Sequence, residues 1–252
     1  MSTSGQLHKD QRPAALVTGG SRGIGLGIAR ALAEAGYNLT VAARDPERLE
    51  KAATDLRSTG VRVQTQAGDM AEEEDTRLLT RAHAEAYGRL DVLVIAAGVG
   101  TAGDIDSLPM RRFDKQFAVN LRSPFVLLQE TLPLLRQTAA RNPAHGAKVI
   151  GLSSITGVYS EAGLAAYGAS KAALRSLCHS VNAEAAKDGV SATAISPGYV
   201  DTDMAAWQHD RIAPEEMIRV GDIAELALAV TRLSPQAVVP EMVVTRSGGM
   251  SA

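Results

Sequence analysis

Residues 14–25 read Ala-Ala-Leu-Val-Thr-Gly-Gly-Ser-Arg-Gly-Ile-Gly, an apolar run of strand character that stops at a glycine-rich turn. The turn passes directly into the helix-like segment 26–36, LGIARALAEAG. Glycines at such a turn let the backbone come close to a ligand, and the start of the following helix offers free N–H groups and the positive end of its dipole to a pyrophosphate. A glycine turn alone is no more than a tight turn. Its place between a strand and a helix supplies the context that a dinucleotide site requires.

The alternation continues outward from this unit. Runs NLTVAAR (38–44), VRVQTQ (61–66), DVLVIAAG (91–98), AKVIGLSS (147–154), VSATAISPG (190–198) and EMVVTR (241–246) are separated by helix-like segments. With the first strand they predict a seven-stranded, mostly parallel sheet carrying helices on both faces. The strands are continuous apolar runs, as a sheet covered on both sides needs. Gly36, Gly60, Gly88 and Gly189 each stand just before a strand, where a helix-ending residue of left-handed geometry is wanted. The 252 residues, 45% hydrophobic, fit one domain over 13–252 behind a polar tail at 1–12. The long interruption at 203–220, with Met204, Trp207, Met217 and Ile218 among polar residues, reads as a substrate loop or lid, or else as a surface excursion.

A formal net charge of −2 provides no broad basic field, which argues against nucleic acid or an anionic membrane as partner. No apolar run is long enough to span a bilayer, and the first residues lack the basic-then-apolar order of a secretion signal, so a cytoplasmic protein is expected. The single cysteine, Cys178, has Leu174, Leu177 and Val181 at helical spacing and reads as a packed core thiol. His8, His83, His145, His179 and His209 are scattered, and no metal is expected.

Two motifs add chemistry to this frame. One is Thr18-Gly19-x-x-x-Gly23-x-Gly25; the other is Tyr167-Gly168-Ala169-Ser170-Lys171, whose tyrosine lies thirteen residues beyond Ser154 of Gly151-Leu152-Ser153-Ser154. Residues four apart share one helix face, so Tyr167 and Lys171 project into one site. Together the motifs resemble those of the short-chain dehydrogenase/reductase (SDR) family, and the resemblance runs from about Ala14 to the last strand. It implies a single Rossmann-type doubly wound α/β domain, a nicotinamide cofactor, and direct hydride transfer between a ketone or aldehyde and an alcohol.

The catalytic set so implied is Asn120, Ser154, Tyr167 and Lys171. Carbonyl reduction places a hydride on carbon and a proton on oxygen, with Tyr167 as general acid/base. A free phenol titrates near ~10, and lowering that by about three units takes roughly 4 kcal/mol, about what one cation at ~4 Å supplies at an effective dielectric near ~20. Lys171, helped by the positive ring of the oxidised cofactor, is expected to supply it. Ser154 would steady the charge developing on the substrate oxygen, while Ser153 reads as structural. Asn120, on the long fourth helix, corresponds to the family asparagine that holds a water in a proton relay to the lysine; a buried helical asparagine can also simply satisfy a kink.

The cofactor set implied by the resemblance begins with Thr18, Gly19, Ser21, Arg22, Gly23, Ile24 and Gly25. It continues through Arg44, Asp69, Met70 and Gly98, then Tyr167 and Lys171, and ends with Pro197, Gly198, Val200 and Thr202. An acid at the end of the second strand would select NAD(H); this chain has Ala43-Arg44. A guanidinium can pair with a 2′-phosphate, with Arg22 as a second charge, so NADP(H) is expected in preference to NAD(H). Asp45-Pro46-Glu47 reads as a helix cap whose carboxylate is spent on the backbone. Asp69 matches the family contact to adenine, with helix capping as its competing role. Ser196–Thr202 resembles the segment that closes over the nicotinamide, and Tyr159, Met204 and Trp207 fall where the family builds its substrate pocket. Two departures stand out: Ile95-Ala96-Ala97-Gly98 where the family usually has Asn-Asn-Ala-Gly, and Ser247-Gly248-Gly249 where it frequently has Asp-Gly-Gly.

Among alternatives, a 3-oxoacyl-[acyl-carrier-protein] reductase should meet its acidic carrier with basic side chains, for which Arg111, Arg112 and Arg122 are candidates. A nucleotide-sensing protein without turnover should have lost serine, tyrosine or lysine, and all three are present. The family resemblance further implies a homo-oligomer, a dimer or homotetramer, built through the fourth and fifth helices, with a small-molecule carbonyl or alcohol as substrate.

Overall fold

Each of the seven strand-like runs contains a strand in the protein's structure, a computed structural model that describes residues 12–248. The expected tail, but for Arg12, and Gly249 of the C-terminal glycine pair lie outside the described residues. The strands are β1 (Ala14–Thr18), β2 (Asn38–Ala43), β3 (Val63–Ala67), β4 (Val92–Ile95), β5 (Ala147–Leu152), β6 (Val190–Pro197) and β7 (Glu241–Val244). They form one sheet in the order β3-β2-β1-β4-β5-β6-β7, and every pairing is parallel.

The period of two along a strand sends alternate residues to opposite faces. Ala15 and Val17 of β1 enter one core with α1 (Gly23–Glu34), α2 (Pro46–Arg57) and α7 (Val220–Thr231). Leu16, between them, enters the other with α3 (Glu73–Tyr87), α5 (Ser123–Arg141) and α6 (Ala165–Ala185). Each fully buried Leu, Ile or Val contributes roughly 1.5–3 kcal/mol. Two such cores fix the sheet from both sides. Cys178 packs in the second against Gly151, where an added Cβ would stand 2.7 Å from the sulfur, and burial pushes its thiol up to about 12.

Local signals set the helix ends. Asp45 Oδ1 accepts from Glu47 N at 3.1 Å and Arg48 N at 3.0 Å, with Pro46 at the first helical position of α2, as expected. The expected single fourth helix is instead three pieces: α4 (Met110–Phe117), a wide π turn at Ala118–Arg122, and α5. Pro124 explains the break, because it has no N–H to give the Asn120 carbonyl four residues back.

The strand order reverses between β1 and β4, so the loops at their carboxyl ends open a crevice, the usual ligand site of such sheets. Segment 203–220 folds back over this end of the sheet through two short 3-10 turns, Ala206–Gln208 and Pro214–Glu216. A bridge between Val200 and Ile218, with Ala205, Gln208, Met217 and Ile218 buried, anchors it to the packed structure.

Candidate active site

Two cavities meet at the crevice. The larger, a cleft of about 360 Å³, runs over the glycine turn to the ends of β2 and β3. The smaller, a pocket of about 270 Å³, lies under segment 203–220. Ile24, Ser153, Tyr167, Thr202 and Met204 line both.

The cleft has the form of a dinucleotide cradle. Gly19 has φ +67°, and a Cβ there would stand 2.9 Å from Ala97 N; a Cβ on Gly25 would stand 2.3 Å from Gly19 O. Side chains are therefore excluded from the turn, leaving backbone to meet a ligand. The N-cap of α1, Arg22, makes no side-chain capping bond, so the first N–H groups of the helix remain for an anion. Gly19, Ser21, Arg22, Gly23, Ile24, Gly25, Arg44, Asp69, Met70 and Gly98 all line this cleft, together with Tyr167 and Lys171. These residues fit a pyrophosphate-linked dinucleotide.

Thr18 departs from its expected place. It is fully buried and does not line the cleft; its Oγ1 accepts from Ala96 N and Ala97 N, both at 3.1 Å. This bond ties β1 to the segment after β4, where the family asparagines are missing. Arg22 is also less available than the sequence suggests, since it pairs with Asp203 at 2.7 Å and holds that carboxyl below its ordinary value. A third cation compensates: Arg48, four residues beyond Arg44, lines the same cleft. That spacing was the signal available in the sequence. Asp69 lines the cleft and also caps its own turn, its Oδ1 accepting from Ala71 N at 2.9 Å.

At the junction of the cavities, Ser154 Oγ accepts from Thr156 N at 3.2 Å and from Thr156 Oγ1 at 3.0 Å. The neighbouring Ser154 side chain favours the Tyr167 phenolate. Burial acts more strongly in the other direction and pushes the Tyr167 phenol up to about 12. Lys171, 4% exposed, is pushed down to about 8, also by burial. The Lys171 Nζ donates to Leu152 O at 2.7 Å and stands 5.7 Å from the centre of the Tyr167 ring.

Ser153 is structural, as expected: its Oγ donates to Lys171 O at 2.9 Å. The Asn120 side chain is fully committed. It accepts from Val99 N at 2.9 Å and donates to Val99 O at 2.8 Å and Ser170 Oγ at 3.0 Å. A Cβ on Gly98 would come within 3.1 Å of Lys171 Nζ, so the glycine leaves room for the lysine. Pro197, Gly198 and Val200 line the smaller pocket rather than the cleft, and Thr202 lines both. Met204 and Trp207 line the pocket as expected, whereas Tyr159 is exposed and does not. Glu161, which the sequence analysis did not single out, does. Among the described residues no group of three or more His, Cys, Asp or Glu side chains gathers in a form that would hold a metal.

A dinucleotide cradle at the switch point of a doubly wound sheet, sharing a half-buried tyrosine with a second, mostly apolar pocket, defines an oxidoreductase of dehydrogenase type. The chain belongs to the short chain dehydrogenase family, whose model matches residues 13–212. Over 186 residues it is 40% identical to the rhamnolipids biosynthesis 3-oxoacyl-[acyl-carrier-protein] reductase of Pseudomonas aeruginosa, a match covering 73% of this chain and 71% of that protein. An alcohol dehydrogenase from Thermococcus sibiricus, complexed with 5-hydroxy-NADP, superposes with a TM-score of 0.85 at 28% identity, covering 96% of this chain and 99% of that one. The P. aeruginosa RhlG/NADP active-site complex gives 0.84 at 32% identity, with 94% and 95% covered.

Proposed function

We propose that the protein is an NADP(H)-dependent carbonyl reductase that interconverts a ketone or aldehyde and an alcohol, with Tyr167 as general acid/base. The observation that carries this reading is the position of Tyr167 on the boundary of both cavities, with Ser154 beside it in the pocket and Lys171 beside it in the cleft. Bound in the cleft, the nicotinamide supplies the hydride to the carbonyl carbon or takes it back. Burial keeps the Tyr167 phenol protonated, so in the reductive direction it gives its proton to the substrate oxygen while Ser154 holds that oxygen. Lys171 is the nearby cation that favours the phenolate left behind. Asn120 contributes through its backbone carbonyl, which Pro124 leaves without the usual helical donor and which is suited to a relay water. Its side chain holds the loop at Val99.

Arg44 and Arg48, with Arg22 when released from Asp203, are the partners for a 2′-phosphate. The NADP complexes among structural relatives support this choice over NAD(H). Asp69 and Met70 would meet the adenine, and Gly19, Ser21, Gly23, Ile24 and Gly25 the pyrophosphate. Gly98 would lie near the nicotinamide, with Pro197, Gly198, Val200 and Thr202 closing beside it. The same proposal takes residues 13–252 as one domain, with 203–220 as its substrate loop, in a cytoplasmic homo-oligomer, tetramer or dimer. Two facts support this: Phe125 stands 55% exposed on α5, and among the described residues no helix is long and apolar enough to cross a membrane.

Loss of NADPH absorbance over a panel of free ketones and aldehydes tests the reading. Turnover should fall by roughly 10²–10⁴ in Tyr167→Phe, the usual contribution of a general acid. NADPH binding with no carbonyl reduced, and identical behaviour of Tyr167→Phe, would falsify it. Including carrier-linked and CoA-linked 3-oxoacyl thioesters decides the narrower reading suggested by the Pseudomonas relative. One of the three arginines considered for an acidic carrier, Arg122, is engaged with Ala71 O at 2.6 Å.

A further inference from the structure

The smaller pocket contains one charged side chain. Its walls are largely apolar, with Ile155, Leu164 and Trp207 among them, and no lysine, arginine or histidine lines it; Glu161 does. One carboxylate oxygen of Glu161 is committed. Oε1 accepts from the Tyr199 hydroxyl at 2.6 Å, and that hydroxyl in turn accepts from Gln208 Nε2 at 2.9 Å. The chain fixes the carboxylate to β6's following loop and to segment 203–220. Tyr199 is held protonated, its phenol pushed up to about 12 by burial and by the bond to Glu161, so it serves as the donor in that bond. Glu161 has no salt-bridge partner among the described residues, and its Oε2 accepts no hydrogen bond there.

A lone carboxylate on an apolar wall attracts a hydrogen-bond donor and repels an anion, and both effects strengthen as a bound ligand excludes water. We propose that Glu161 is a specificity-determining residue: the substrate bears a donor group, hydroxyl or ammonium, that meets Oε2, and no anionic group within the pocket. This rests on the carbonyl-reductase reading and narrows it to hydroxy- and amino-substituted carbonyl compounds, excluding keto acids.

The experiment uses four ketones of one carbon skeleton that end in methyl, hydroxyl, ammonium or carboxylate. Binding is followed by the fluorescence of Trp207, the one tryptophan of the chain and a pocket residue, and turnover by NADPH absorbance. The expected order is ammonium, hydroxyl, methyl, carboxylate, with the ammonium compound favoured over the carboxylate by about tenfold or more, as a charge-assisted hydrogen bond provides. Glu161→Gln should collapse that ratio toward one. Tyr199→Phe keeps the carboxylate and should keep the order, and it serves as the test if Glu161→Gln fails to fold. An order that is absent, reversed or unchanged in Glu161→Gln, or lost in Tyr199→Phe with wild-type thermal stability, overturns the proposal. Ranked binding without turnover of any ketone supports the charge preference and sinks the carbonyl-reductase reading instead.

Discussion

The cleft and the pocket on either side of Tyr167 solve opposite problems. The cleft is lined by glycines that withdraw side chains and by Arg22, Arg44 and Arg48, while Asp45 and Asp69 there are engaged with backbone N–H groups and Asp203 with Arg22. It can take a large anion because its cations outnumber its uncommitted carboxylates. The pocket has no cation and a single carboxylate on a largely apolar wall, so an anion is repelled there. At the boundary between them burial drives Tyr167 and Lys171 toward their neutral forms. The difference teaches that one crevice can bind a polyanion and still offer a low-dielectric reaction point. The charge needed for binding is kept on the cofactor side.

The largest expected effect tests the dryness of that boundary. Burial pushes Lys171 down to about 8 in the folded protein, against 10.5 ordinarily. Between those values the unfolded chain holds a proton that the folded one has lost, so stability rises with pH across this window. The cost of the buried charge is fully present below about pH 8 and is relieved above it, by up to about 3 kcal/mol. Urea unfolding at pH 8 and pH 10 should show about 2 kcal/mol of this increment in wild type and none of it in Lys171→Met. Equal pH dependence in the two proteins would mean that the lysine is solvated and the boundary wet.

Next in size is the cofactor side. Ala43→Asp combined with Arg44→Ser places an acid where a 2′-phosphate would lie and removes one of its partners. The ratio of kcat/KM for NADPH to that for NADH should fall by roughly 10–100-fold, the range of a charge-assisted bond. An unchanged ratio removes Arg44 from phosphate binding. The smallest effect concerns the latch between the loops: Asp203→Asn frees Arg22, and NADPH should bind about two- to fivefold tighter, as expected for an exposed ion pair. A weaker complex would assign Asp203 to holding the loop rather than restraining the arginine.

Much of this was readable from residue patterns alone. Strand runs, the glycine turn and the Asp45-Pro46 cap are local features, decided by neighbours within a few positions, and the structure follows them. The pairing of Tyr167 with Lys171 on one helix face was equally local. Thr18 was misread because its hydroxyl points inward to Ala96 and Ala97, residues distant in sequence. The split of the fourth helix was signalled by Pro124, but its consequence at Asn120 depends on the loop at Val99 that the side chain holds.

By itself, then, the sequence determined the α/β alternation, the glycine turn and the pairing of Tyr167 with Lys171 on one helix face, because hydrophobic period and backbone conformation act over short range. The tertiary structure alone decided that Arg48 joins the cleft, that Asp203 restrains Arg22, and that Tyr199 and Gln208 fix Glu161 in the pocket wall. It also decided the protonation of Tyr167 and Lys171. Burial and the distance between charges are properties of the packed chain, and no spacing along the sequence encodes how much water a side chain loses.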